Sequence, residues 1–146
     1  LLKKKLTEIF SNKELSTVIL EGKPLLKKEP VKDGNITFYN HLSSAGMVRL
    51  ISNSDGIICR SGYTGIMDLI VLNSSALLIP TPGQTEQEYL AEYLSEKGLF
   101  SYLKQKYLNG NTLFPRRKTF DNSEIVRDSS LLLRRALEEL LDKPHQ

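Results

Sequence analysis

The run Arg60-Ser61-Gly62-Tyr63-Thr64-Gly65 gathers a cation, two hydroxyls and two glycines in one short stretch. Gly62 and Gly65 let a ligand come close to the backbone. A helix that starts there turns its free N–H groups and its positive dipole end toward the turn, which is a site for phosphate. Ser61 and Thr64 add hydroxyl donors, and Arg60 either adds charge or braces the loop. A plain strand-to-helix turn explains the same residues, and the pattern alone leaves the two readings level. The GK[ST] signature of a P-loop is missing.

Asp68 lies further along the same expected helix, among Ile66, Met67, Leu69 and Ile70. A carboxylate there can accept hydrogen bonds from ribose hydroxyls. By spacing alone the better reading is an exposed acid near a helix start, worth a few tenths of a kcal/mol. Gln87 and Glu88 stand in a second glycine-led polar stretch, Gly83-Gln84-Thr85-Glu86-Gln87-Glu88-Tyr89. Both side chains suit sugar hydroxyls. Thr85 and Glu88 also form a Thr-x-x-Glu capping box, which gives Glu88 a structural duty and leaves Gln87 as the freer ligand candidate. His41 and His145 have no metal-like spacing and read as structural or exposed. Cys59 is the one cysteine, which excludes an internal disulfide and a cysteine-rich metal site; its strand context makes it a small core residue.

The elements that must position these groups alternate. Apolar spacing predicts a helix over 1–10, a buried strand at 17–20, a charged loop at 25–34 and a strand at 35–39. A helix capped by Ser43 or Ser44 carries Met47, Leu50 and Ile51. Then come a strand at 56–59, a helix at 63–72, a strand at 76–80, and a helix at 85–97 ended by Gly98. A short edge strand at 100–103, a turn at Asn109-Gly110-Asn111 and a basic linker at 115–118 follow. A last helix over 121–141 is opened by an Asp121/Glu124 capping box. Strand, glycine turn, helix, strand, turn, helix is the order of a parallel sheet with crossover helices. The expected fold is α/β, a Rossmann-like parallel sheet with strands near 17–20, 36–39, 56–59 and 77–80 and helices on both faces. Ligands of such sheets bind beyond the carboxyl ends of the strands, where the two polar turns lie. Such sheets open with a strand and a glycine turn, whereas this chain opens with a helix, so the expectation is a domain lacking its first strand, part of a longer protein.

With 146 residues, 40% hydrophobic and 25% charged, the chain suits one globular domain. Its 20 basic and 17 acidic residues give a net charge of only +3, scattered in short runs. That argues against a nucleic-acid groove and is compatible with an anionic ligand. No apolar run is long enough to span a bilayer and no signal-peptide pattern is present, so cytoplasm is the expected location.

Asp55-Gly56-Ile57-Ile58-Cys59-Arg60-Ser61-Gly62, then Asp68, then Pro80-Thr81-Pro82 and Gln87-Glu88-Tyr89, resemble the C-terminal nucleotide-sugar domain of GT-B glycosyltransferases. Within these the similarity is to the family that holds the UDP-N-acetylglucosamine transferase of peptidoglycan synthesis, the glycosyltransferase family 28 C-terminal domain. It covers about residues 36 to 99; residues after Asn109 match nothing in it. The resemblance implies half of a GT-B fold and a UDP-sugar donor. Ser61 and Gly62 would meet the diphosphate, with Arg60 and Thr64 counted beside them as donor-binding, and Asp68 would stand at ribose, in place of a family glutamate. Gln87 and Glu88 would read the donor sugar, where the family often has two glutamines. The strand end at His41-Leu42 corresponds loosely to the loop against uracil. No metal or other cofactor is implied, since a helix N-terminus and hydrogen bonds stabilise the leaving UDP. The acceptor, of the lipid-linked or cell-envelope glycan class, and the general base would belong to an N-terminal domain in the same or a partner chain, which could bring the protein to a membrane. The fragment alone is then expected to bind donor without turnover. Two other readings stay open: a non-catalytic nucleotide-sugar-binding subunit of a split transferase, and a UDP-sugar epimerase of the same fold. The epimerase needs acid/base histidines, for which His41 is the one candidate.

Overall fold

The computed structural model describes residues 2–22 and 29–120. The elements run α1 (Leu2–Phe10), β1 (Thr17–Leu20), β2 (Val31–Asp33), β3 (Ile36–Tyr39), α2 (Ser44–Ser52), β4 (Ile58–Cys59), α3 (Tyr63–Val71), β5 (Leu77–Leu78), α4 (Thr85–Glu96), β6 (Ser101–Tyr102) and a 3-10 turn at Gln105–Tyr107. The described residues form two compact units, 2–22 and 29–49 with 108–112, and 50–107 with 113–120. The last helix expected over 121–141, with Asp121, Glu124 and His145, lies outside the described residues.

In the first unit the sheet order is β1-β3-β2. β1 and β3 are parallel, with Thr17 opposite Ile36 and Leu20 opposite Tyr39. β2 pairs antiparallel with β3, Asp33 opposite Ile36. This strand corrects the expected charged loop at 25–34. Its turn holds Gly34 at φ +57°, a left-handed conformation that glycine adopts without a Cβ penalty. Ile9, Phe10, Ile19 and Ile36 are buried. The Asn35 amide ties the loop between α1 and β1, donating to the carbonyls of Phe10, Lys13 and Leu15 at 2.9, 2.8 and 2.7 Å. Lys3 pairs with Glu21 and lies 4.8 Å from the centroid of the Phe38 ring. Of the two serines offered as a cap for α2, Ser43 serves: its hydroxyl accepts from the Gly46 N–H at 3.2 Å.

The second unit is a wholly parallel sheet, β4-β5-β6, flanked by helices. Ile58 faces Leu77, and Leu77 faces Ser101. The strands expected over 56–59 and 76–80 are shorter than their apolar runs, yet Ile79 N–H still donates to the Cys59 carbonyl at 2.9 Å beyond the ladder. Ile66, Ile70, Leu78, Ile79, Leu90 and Leu94 are at most 2% exposed. Each such side chain contributes about 1.5–3 kcal/mol by leaving water, so this core outweighs any single polar contact of the unit.

Both crossover helices end on left-handed residues. Gly98 at φ +72° follows α4, and Asn73 at φ +51° follows α3. In each case the paired bonds of a Schellman motif form: Leu99 N–H to Leu94 O and Gly98 N–H to Ser95 O, Ser74 N–H to Leu69 O and Asn73 N–H to Ile70 O. These ends aim the chain back into β6 and β5.

The stretch 115–118, read from sequence as a basic linker, is docked. Arg117 donates from Nε to Ser54 O at 2.9 Å, from one terminal nitrogen to Ser74 Oγ at 3.2 Å, and from the other to Ser52 O at 2.9 Å. Its backbone N–H reaches Asp55 O at 2.6 Å, and Lys118 N–H reaches Ser75 Oγ at 2.7 Å. These contacts lie at the amino ends of β4 and β5, the sheet edge opposite the polar turns.

Candidate functional site

Because β4, β5 and β6 are parallel, their carboxyl ends share one edge, and the residues that follow each strand meet there. Arg60 follows β4. Its guanidinium crosses the exit of β5, donating from one terminal nitrogen to Ile79 O at 3.1 Å and Pro80 O at 2.8 Å. The other terminal nitrogen donates to Gln105 Oε1 at 2.7 Å, on the 3-10 turn after β6. All three acceptors are neutral. Among the described residues no carboxylate pairs with this half-buried cation, and desolvation lowers its pKa. Arg60 therefore braces the loop and also leaves its positive charge uncompensated at the strand ends.

Ser61 is fully buried, and its hydroxyl donates to the Gln87 carbonyl at 2.7 Å. The proton that the sequence offers to a ligand is used inside the protein. The bond joins the turn after β4 to the first turns of α4. Gly62 is the N-cap of α3, with φ −76° and ψ 143° and no side-chain cap bond. A Cβ built on Gly62 or on Gly65 meets nothing within 4 Å. Neither packing nor a positive φ demands glycine at these two positions; what their lack of side chains provides is open approach to the start of α3. Thr64, in that first turn, is exposed.

The two helix starts differ in charge. The first turn of α3 holds no acid, whereas that of α4 holds Glu86 and Glu88. An anion is favoured at the first and opposed at the second by about 0.3–1 kcal/mol per nearby charge. Asp68 stands on α3 past that first turn and is exposed.

At α4 the structure reverses the duties read from sequence. The N-cap is Gln84, with no side-chain cap bond, so the Thr85/Glu88 capping box does not form. The helix starts one residue too early for Thr85 to serve as cap. Glu88 is thus relieved of the duty assigned to it. Gln87, expected to have none, carries one: its Oε1 accepts from the Thr81 N–H at 3.0 Å, and its Nε2 donates to Gln84 Oε1.

Arg60, Ser61, Gly62, Thr64, Asp68, Gln87 and Glu88 all belong to the second unit. His41 and Leu42 belong to the first, between β3 and α2, with His41 exposed and Leu42 half-buried. Among the described residues no group of three or more His, Cys, Asp or Glu side chains is placed to hold a metal ion. Gln105 was missed by the sequence reading; no motif marks it, and its relation to Arg60 spans 45 residues.

Residues 2–124 match the model of the glycosyltransferase family 28 C-terminal domain. The chain is similar to the UDP-N-acetylglucosamine–N-acetylmuramyl-(pentapeptide) pyrophosphoryl-undecaprenol N-acetylglucosamine transferase of Desulforudis audaxviator, 35% identical over 99 residues, which are 65% of this chain and 25% of the relative. It is also similar to the protein of the same name from Mannheimia succiniciproducens, 28% identical over 74 residues, 50% of this chain and 21% of the relative. The matched stretch thus spans a quarter or less of the length of these curated relatives. No solved structure matches the chain.

Proposed function

Since the chain belongs to the glycosyltransferase family 28 C-terminal domain family, we propose that it is the donor-binding part of a transferase that moves a sugar from a UDP-sugar to an acceptor hydroxyl. UDP-N-acetylglucosamine is the donor and a lipid-linked glycan the acceptor class, in keeping with the names of the two relatives.

The observation that carries the reading is the start of α3: uncapped N–H groups, no acid in the first turn, and two glycines whose missing side chains leave the approach open. A diphosphate seated there accepts from those N–H groups and meets the uncompensated charge of Arg60. Asp68 accepts from the ribose hydroxyls. Glu88, free of a capping role, accepts from hydroxyls of the sugar, beside Gln87, whose amide also shapes the turn.

In the transfer the bond from the sugar's anomeric carbon to the β-phosphate oxygen breaks, and a bond to the acceptor oxygen forms. The electron pair leaves with UDP, and the acceptor proton passes to a base outside this domain. What this chain supplies is stabilisation of the negative charge growing on the leaving diphosphate. The N–H groups of α3 and Arg60 do so in a fixed arrangement, which needs no reorganisation as the bond breaks.

The test is calorimetric titration of the chain with UDP, UDP-N-acetylglucosamine and ADP. UDP and the UDP-sugar should bind and ADP should not. Asp68→Ala should weaken both uridine ligands roughly tenfold, the low end for a bond to a charged group because Asp68 is exposed. Glu88→Ala should weaken the UDP-sugar and leave UDP within about twofold, because UDP has no sugar for it to meet. Equal binding of ADP, or indifference of both uridine ligands to Asp68→Ala, defeats the assignment.

A further inference from the structure

The three strand exits of the second unit are not independent loops. Pro80 O accepts from Arg60, and Thr81, the next residue, gives its N–H to Gln87 Oε1. The carbonyl of Gln87 accepts from Ser61, the residue after Arg60. The contacts close a ring: Arg60, Pro80-Thr81, Gln87, Ser61 and back to Arg60. Every residue of the ring belongs to, or adjoins, the groups assigned to the donor. From the 3-10 turn after β6, Gln105 Oε1 accepts from the other terminal nitrogen of Arg60 at 2.7 Å.

That contact decides where the guanidinium points. An arginine fork has five N–H donors in one plane, so fixing one terminal nitrogen on Gln105 orients the other toward the Ile79 and Pro80 carbonyls. Without the Gln105 amide oxygen the cation is held by two carbonyls on one nitrogen and is free to rotate about them. The Pro80-Thr81 turn then loses its fixed partner, and the positive charge its fixed position.

We infer that Gln105 is a positioning residue for donor binding: from the 3-10 turn after β6 it holds Arg60 in the orientation that locks the turns after β4 and β5 together and keeps the positive charge fixed at the exit of β5. The inference rests on the donor reading above, since it concerns the same site.

The experiment is a double-mutant cycle in the full chain, with UDP as the probe. Gln105→Met keeps the length of the side chain and removes its acceptor. Arg60→Lys keeps the charge and removes the fork. Gln105→Met should weaken UDP roughly tenfold in the wild-type background, within the range by which a residue without ligand contact modulates a site it is coupled to. In the Arg60→Lys background it should cost less than about twofold, because the partner through which it acts has gone. A residue that merely supports the fold would show the same loss in both backgrounds, and that result overturns the inference.

A second readout needs no ligand. Amide exchange at Thr81 should quicken in Gln105→Met while exchange at Leu90 and Leu94, in the core of α4, stays as in the wild type. Unchanged exchange at Thr81 also overturns the inference. If the wild-type chain binds no UDP but Thr81 exchange quickens as expected, the donor reading fails and the positioning of the turn by Gln105 stands.

Discussion

Ser61 and Thr64 offer the same hydroxyl to the same turn, and the structure gives them opposite tasks. Ser61 is buried and donates to Gln87 O at 2.7 Å; Thr64 is exposed in the first turn of α3. Ser61→Ala removes one buried neutral hydrogen bond and a single oxygen, leaving no cavity of note. Its acceptor, within α4 (Thr85–Glu96), keeps its intrahelical bond. The loss of stability should therefore be that of the bond itself, about 1 kcal/mol, without the larger penalty of an orphaned carbonyl. Thr64→Ala breaks no bond in the free chain and gains slightly in helix propensity, so stability should stay within about 0.5 kcal/mol. Its cost should appear in UDP affinity, roughly tenfold, the low end for one hydrogen bond to a charged group because Thr64 is exposed. Urea unfolding of both variants, with calorimetric titration of UDP, separates the two effects. Equal stability of Ser61→Ala and wild type, or UDP binding untouched by Thr64→Ala, would refute the assignment of one hydroxyl inward and the other outward.

Two further outcomes concern the frame around the site. Arg117→Ala should destabilise the chain by about 2–3 kcal/mol in urea unfolding, since three side-chain bonds go together and two of them serve Ser52 and Ser54 carbonyls at the end of α2; a loss below about 0.5 kcal/mol would show that this arginine is solvated. Burial pushes the Cys59 thiol from 9.0 up to about 12. Between these values the folded chain holds a proton that the unfolded chain has released, so stability is full below pH 9 and falls as pH rises toward 12, by up to about 1.4 kcal/mol per pH unit. Cys59→Ser should flatten that slope in urea titrations between pH 8.5 and 10.5, and an unchanged slope would remove Cys59 as its source.

The sequence was legible where a local pattern settles the matter. The apolar run Thr17-Val18-Ile19-Leu20 gave the bounds of β1, although of its four residues only Ile19 is buried and Val18 is exposed, and the left-handed requirement after α4 gave Gly98 as its end. β2 was hidden because the charges before it suggested a solvated loop, although Asp33-Gly34 between apolar residues carries a hairpin signal. The duties of Gln87 and Glu88 were misjudged for a different reason. Thr-x-x-Glu satisfies the capping rule on paper, but α4 takes Gln84 as its N-cap, and the register of one residue decides which side chain is left over. No local rule shows that the Thr81 amide comes within 3.0 Å of Gln87, or that Arg60 and Gln105 meet. Such contacts depend on three strands ending at one edge, a property of the sheet and not of any segment.

The clamp made by Arg117 has a consequence for the order in which the second unit assembles. Its side-chain contacts with Ser54 and Ser52 close loops of 63 and 65 residues. By contrast, β4 finds β5 across a single crossover, Ile58 against Leu77. Closing the longer loop costs about 1 kcal/mol more in chain entropy than closing one of roughly 20 residues. The three parallel strands and the helices between them can thus form while residue 117 is still unplaced, and the segment around it arrives as a late closure over a sheet already built. The same hierarchy runs backward on unfolding: the stretch 113–120 can lift away while β4, β5 and β6 stay paired, so the amide of Lys118 marks a partial opening of lower free energy than global unfolding.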